Sequence, residues 1–167
     1  LDPTTQICVL MQILLNYINA KIDGSDPKLV ATLHSPSHGK LPVLFTVGAG
    51  LPWDYVWFDE HQYDEHFDLR KPATSLAVAA YHISTTDSLP QPIYISDTSQ
   101  AKPARPWFAP PGEKYADQKS VLAIPLLEGP DRGSRTGVLC VVASTPGFCN
   151  STSVSKLEFV CQEVAAR

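Results

Sequence analysis

Two stretches of this chain, residues 120–127 (SVLAIPLL) and 136–143 (TGVLCVVA), are apolar at nearly every position. Side chains of a β-strand alternate between the two faces of a sheet, so a strand that is apolar on both faces has to be covered on both. The pair therefore belongs in the middle of a sheet that lies between other layers. Only Glu128-Gly-Pro-Asp-Arg-Gly-Ser-Arg135 separates them. That connection is too short for a crossover helix, which makes the pairing antiparallel.

The remaining elements are read around this centre. Residues 5–21 repeat apolar side chains at helical spacing. Ile7, Leu10, Met11, Leu14, Ile18 and Ile22 form one stripe, and Val9, Ile13 and Tyr17 form a second beside it. Thr5, Gln12, Asn16 and Asn19 leave only a narrow polar face. Two explanations stay open: a helix wedged into the core, or a helix with one face on the core and a second face for another subunit. After the turn chemistry of Asp23-Gly-Ser-Asp-Pro27, residues 28–33 and 41–47 read as a hairpin joined across Ser35-Pro-Ser-His-Gly39. Residues 49–70 mix aromatics with Asp59, Glu60, Asp64, Glu65 and Asp68 without a clean period, which predicts short helices and loops. Pro72 suits a first helical turn, and residues 76–81 carry alanines that allow close approach to a sheet. Residues 92–96 read as a short strand, followed by a loop that takes up much of the excess of a chain with 15 prolines. Ser155-Lys-Leu-Glu158 has capping-box spacing ahead of a stripe of Leu157, Val160, Cys161 and Val164.

Composition narrows the functional classes. With 167 residues, 44% of them hydrophobic, the chain fits one domain spanning residues 1–167. Its net charge of −4 offers no basic surface to neutralise nucleic-acid phosphates or anionic lipid, so neither is an expected partner. Cys8, Cys140, Cys149 and Cys161 show neither a CxxC pair nor disulfide-scaffold crowding, which points to a reducing, cytoplasmic setting. The longest apolar stretch, residues 7–22, is broken by Gln12, Asn16 and Asn19 and is short for a bilayer span. Because the sequence stops at Arg167 within a helical pattern, it reads as a piece of a longer protein.

Three phrases in order carry a resemblance: Gln91-Pro-Ile-Tyr-Ile-Ser-Asp97, Ser120-Val-Leu-Ala-Ile-Pro-Leu126 and Thr136-Gly-Val-Leu-Cys-Val-Val142. Together they resemble the C-terminal half of GAF domains, where a strand ending in Asp precedes a variable loop, a "svlavPL" strand and a "GvL" strand. The likeness covers residues 75–165 in wording and residues 1–70 in element order. It implies an α+β fold, an antiparallel sheet with the N- and C-terminal helices on one face and a ligand pocket roofed by loops and short helices on the other. It also implies a non-enzymatic sensory or regulatory domain, of the kind found in histidine kinases, cyclic-nucleotide enzymes and transcription regulators. Such domains are often paired through terminal helices that relay the pocket's state in signal transduction.

Individual chemistries can then be tested on the residues. Bilin-binding members resemble one another in a chromophore-bearing cysteine near the pocket, and this chain has no cysteine between Val9 and Leu139. Cyclic-nucleotide-binding members carry an Asn-Lys pair ahead of a Phe after the "GvL" strand. Here Ala143-Ser-Thr-Pro-Gly-Phe-Cys-Asn150 keeps the Phe and lacks the pair. Free methionine sulfoxide reductases share the fold and are the enzyme alternative, but they need a thiolate and a resolving thiol in the pocket roof. Residues 84–120 contain no cysteine, and Cys140 sits mid-strand. His61 and His66 lie among acidic residues, yet five positions apart they diverge by about 140° on a helix, so a solvated acidic helix is the ordinary explanation. What remains is an aromatic pocket. Trp53, Trp57, Tyr81, Trp107, Phe108 and Tyr115 fall in roofing segments, His82 stands beside them, and Asp97, Lys102 and Arg105 could fix polar groups of a ligand whose identity the sequence does not give. The alternative is that the aromatics plug the cavity of a domain that only dimerises through Val9, Ile13 and Tyr17.

Overall fold

The structure, a computed structural model, describes residues 2–21, 29–48, 65–82, 92–109, 118–128, 134–152 and 155. Its elements are helix α1 (Pro3–Lys21), strands β1 (Val30–His34) and β2 (Val43–Gly48), helix α2 (Leu76–Tyr81), and strands β3 (Ile93–Ile95), β4 (Ser120–Glu128) and β5 (Ser134–Ala143). All strand pairs are antiparallel, in the order β2-β1-β5-β4-β3. The two apolar runs are thus the central pair, and β1–β2 is the expected hairpin. β5 sits in the middle, with Thr32 opposite Cys140 on one side and Ala123 opposite Cys140 on the other.

Alternation sorts the strands into two apolar layers. Leu29, Ala31, Leu122, Ile124, Leu139, Val141 and Ala143 face α1, which contributes Met11, Leu14 and Leu15; Phe148 and Cys149 close that layer. Val30, Val121, Ala123, Val138, Cys140 and Val142 face the other way, against α2, Leu41 and Phe67. Gly137 lets β1 lie close: a Cβ there would run into the carbonyl oxygen of His34. On the far edge, the Arg105 guanidinium donates to the Tyr94 carbonyl at 3.2 Å and lies 5.1 Å from the centre of the Tyr94 ring. It thereby covers one open backbone group of the three-residue edge strand β3.

Several local expectations are corrected. Leu10, assigned to the core stripe of α1, is 51% exposed, whereas Leu15, assigned to neither stripe, is fully buried. The buried face of α1 is therefore rotated towards Met11, Leu14 and Leu15, and Leu10 joins Ile13 and Tyr17 on the outer face, with Val9 half-buried between. Helix α2 starts after Ser75, whose hydroxyl accepts from the Val78 amide at 3.4 Å, and not at Pro72. Asp68 belongs to no solvated acidic helix. It is buried, bridges to Lys40, and takes two hydrogen bonds from the Arg70 side chain. The Ser155 hydroxyl donates to the Ser151 carbonyl at 2.9 Å, and Asn150 accepts from the Thr152 amide at 2.9 Å in a capping role, while the Glu158 half of the expected capping box lies outside the described residues. The stripe from Leu157 to Val164 lies outside the described residues. No helix among the described residues is long and apolar enough to cross a membrane.

Candidate functional site

The second sheet face carries polar residues where β1 meets β5. Residues 30, 32 and 34 of β1 share that face, so Thr32 and His34 point into the layer that contains Cys140. Both are buried. The His34 Nδ1 lies 3.2 Å from the Leu41 carbonyl and therefore donates to it, which leaves Nε2, 3.0 Å from the Thr32 hydroxyl, to accept that hydroxyl's proton. Burial lowers the His34 pKa to about 4, so the ring is neutral at physiological pH. Burial pushes the Cys140 thiol up to about 12, and because the Thr32 proton is committed to His34 the Cys140 S–H donates to the Thr32 hydroxyl oxygen. Cys140, Thr32, His34 and the Leu41 carbonyl thus form one chain in which each member keeps its uncharged form.

Backbone pairing places the walls. The Leu41 amide donates to the Phe67 carbonyl at 2.9 Å and the Leu69 amide to the Gly39 carbonyl at 2.8 Å, which sets Phe67 against His34 with ring centres 5.7 Å apart. His66 bonds Thr74 through Nδ1 at 2.8 Å, and its ring stacks on Phe108 at 3.7 Å. Ser75 anchors the same corner by donating to the His66 carbonyl at 2.8 Å. Trp107 and Phe108, on residues 106–109 outside any helix or strand, close the space from above. The partly open cavity measures about 20 Å³, the room needed by one water-sized group. Thr32, His34, Phe67, Ser75, Gln118 and Cys140 line its floor and sides.

Those of the expected ligand residues that the structure describes fall in more than one place. Trp107 and Phe108 reach the cavity. Tyr81 packs half-buried against the same layer at the end of α2, and His82 beyond it is exposed, its ring 5.8 Å from Tyr81 in an edge contact; neither lines the cavity. Asp97, Lys102 and Arg105 come together instead in an open groove of about 500 Å³ beside β3. There Asp97 is occupied in local structure, accepting from the Ser99 amide at 3.0 Å and the Ser99 hydroxyl at 2.7 Å. These bonds hold its carboxyl below the usual range. Trp53, Trp57 and Tyr115 lie outside the described residues, as does His61. No cluster of three or more potential metal ligands occurs among the described residues. Sequence reasoning missed Thr32, His34 and Gln118. The available signal was the phase of β1, where the 30-32-34 face carries Thr and His while the 29-31-33 face is wholly apolar.

Cys140 and Cys149 are both buried, neither forms a disulfide, and they belong to opposite layers of the sheet.

No protein-family model matches the chain, and no curated protein matches its sequence. Solved structures match its fold. A type II free methionine-R-sulfoxide reductase from Thermoplasma acidophilum is 15% identical and aligns over 98% of this chain and 93% of that one, with a TM-score of 0.60. A GAF domain in its photoproduct state from Synechocystis is 9% identical over 96% of this chain and 90% of that one, at a TM-score of 0.54. The GAF domain of a two-component sensor histidine kinase from Bacillus halodurans is 16% identical over 94% and 90% of the two chains, at 0.52. The chain has a GAF-like α+β fold, and that fold carries both sensory domains and reductases.

Proposed function

We propose that this domain binds a small molecule non-covalently in the pocket above the β1–β5 seam and relays its presence through the terminal helices, as a sensory module of a larger signalling protein. The observation that carries this reading is the state of the pocket's reactive groups. Its one described thiol, Cys140, is held as thiol by burial, and the second described thiol, Cys149, lies across the sheet. A reductase cycle needs a thiolate with a resolving partner in reach, and these two do not supply it. A screen of small metabolites by thermal shift and calorimetry tests the reading. A ligand at one hundred times its Kd stabilises the domain by about 2.7 kcal/mol. Trp107→Ala should remove that response. Turnover of free methionine sulfoxide that disappears in Cys140→Ser or Cys149→Ser would replace the sensor by the enzyme.

Pairing through α1 is the companion proposal, supported by Leu10 and Ile13, 51% and 58% exposed one turn apart on the same face. Covering the exposed halves of two such side chains contributes about 1 kcal/mol each per protomer. A second copy presenting the same face is the symmetric way to cover them. Sedimentation should show a dimer at tens of micromolar, converted to a folded monomer by Leu10→Glu with Ile13→Glu. A monomeric wild-type chain refutes the pairing.

A further inference from the structure

Gln118 stands immediately before β4, with 9% of its surface exposed, and its side chain lines the cavity. Its Oε1 is buried and has no hydrogen-bond partner among the described residues. The backbone around it is tied on three sides. The Gln118 carbonyl accepts from the Thr98 hydroxyl at 2.7 Å, the Thr98 amide donates to the Lys119 carbonyl at 2.9 Å, and the Lys119 amide donates to the Ala143 carbonyl at 2.9 Å. An acceptor fixed in this way and left unmade is costly unless something donates to it.

The polar side chains of Thr32, His34, Cys140 and Ser75 in the wall are committed elsewhere. Thr32, His34 and Cys140 satisfy one another and the Leu41 carbonyl. The Ser75 hydroxyl donates to the His66 carbonyl and accepts from the Val78 amide. Among the described residues no Asp, Glu, Lys or Arg lines the cavity, so the described wall offers an ionised guest no counter-charge for its lost hydration. Phe67, Trp107 and Phe108 present flat apolar surface.

Building on the pocket assigned above, we infer that this site selects a neutral, flat, largely apolar molecule bearing an N–H or O–H donor, and that Gln118 Oε1 is the group that receives the donor. The donor occupies the water-sized space beside Gln118, and the ring enters as the segment carrying Trp107 and Phe108 moves outward. The assignment makes Gln118 a specificity residue: it separates donors from equally shaped molecules that lack one.

Indole and benzofuran are matched probes, one bicyclic frame with N–H in the first and a bare oxygen in the second. By calorimetry, the wild-type domain should bind indole at least about tenfold more tightly than benzofuran, the discrimination of one buried hydrogen bond. Gln118→Leu should level the two by weakening indole alone. In parallel, the Gln118 side-chain amide resonances of the wild-type domain should shift with indole and not with benzofuran, a readout independent of how the variant folds. Equal affinities in the wild type, a preference retained by Gln118→Leu, or an unmoved Gln118 amide overturns the inference. So does failure of both probes to bind. If the metabolite screen still yields a Trp107-dependent ligand, only the donor assignment falls, whereas an empty screen removes the sensor reading as well.

Discussion

His34 gives this fold a specific acid sensitivity. In the unfolded chain its imidazole titrates near 6.5, and in the folded domain burial lowers that value to about 4. Between the two values the unfolded state binds a proton that the native state excludes. Stability is therefore complete above about pH 6.5, falls as the pH drops below it, and levels off near pH 4. The slope is about 1.4 kcal/mol per pH unit, which makes the loss about 2 kcal/mol at pH 5 and about 3 kcal/mol over the whole window. A protonated Nε2 would also face the Thr32 hydroxyl as a donor instead of an acceptor, so the bond at 3.0 Å has to reorient. Urea unfolding at pH 7.5 and pH 5.0, at matched ionic strength, reads the effect as a fall in midpoint of about 1 M for a domain of this size. His34→Gln lowers stability at both pH values but should flatten the dependence. Because the chain has 5 histidines, the quantity that counts is the difference in slope between the wild type and the variant, in which the other four cancel. If the variant loses as much stability on acidification as the wild type, the neutral buried His34 is not the cause and the hydrogen-bond chain assigned here is wrong.

Three further outcomes follow from single residues. Gly137→Ala, by driving a methyl into the His34 carbonyl, should cost roughly 1–3 kcal/mol in thermal or urea unfolding and disturb the Thr32–Cys140 register, visible as shifted β1 amide resonances. Ser120→Ala should cost about 1–3 kcal/mol, since the buried Ser120 hydroxyl donates to the Ile95 carbonyl at 3.2 Å and accepts from the Cys149 amide at 2.9 Å, and both of these bonds would be lost; a change under about 0.5 kcal/mol contradicts that bridge. Cys140 should react with a thiol reagent at pH 8 about a thousandfold more slowly than an unperturbed cysteine, so Cys140→Ala should leave the fast-reacting thiol count of the native domain unchanged, and loss of a fast thiol in that variant refutes its burial.

The central pair of strands was readable because two-sided apolarity admits few structures, and the hairpin and the short strand before the proline-rich loop followed from turn chemistry. What the sequence hid was phase. In α1, apolar residues surround most of the helix, so the spacing of Ile7, Leu10, Met11 and Leu14 did not reveal that Leu10 turns outward while Leu15 turns in; only the sheet it packs on decides that. Acidic residues around His66 suggested a solvated face, but Asp68 is buried between its near neighbour Arg70 and the distant Lys40, and the second of these partners is one no local pattern encodes.

The polar floor of the pocket was missed for a related reason. Aromatic and charged residues in loops draw attention as ligand contacts, yet Asp97, Lys102 and Arg105 lie at the β3 edge around the 3₁₀ turn Thr98–Gln100, where hydrogen bonds engage Asp97 and Arg105. The polar floor lies instead within strands, at Thr32 and His34, and it exists because Gly137 lets β1 approach β5 closely enough for Thr32 to meet Cys140. The phrase Thr136-Gly-Val-Leu-Cys140, read first as a marker of a buried strand, is therefore also what brings the pocket's polar chain together. Removing the glycine should damage the hydrogen bonds of His34 before it damages the sheet, because the clash falls on the His34 carbonyl itself.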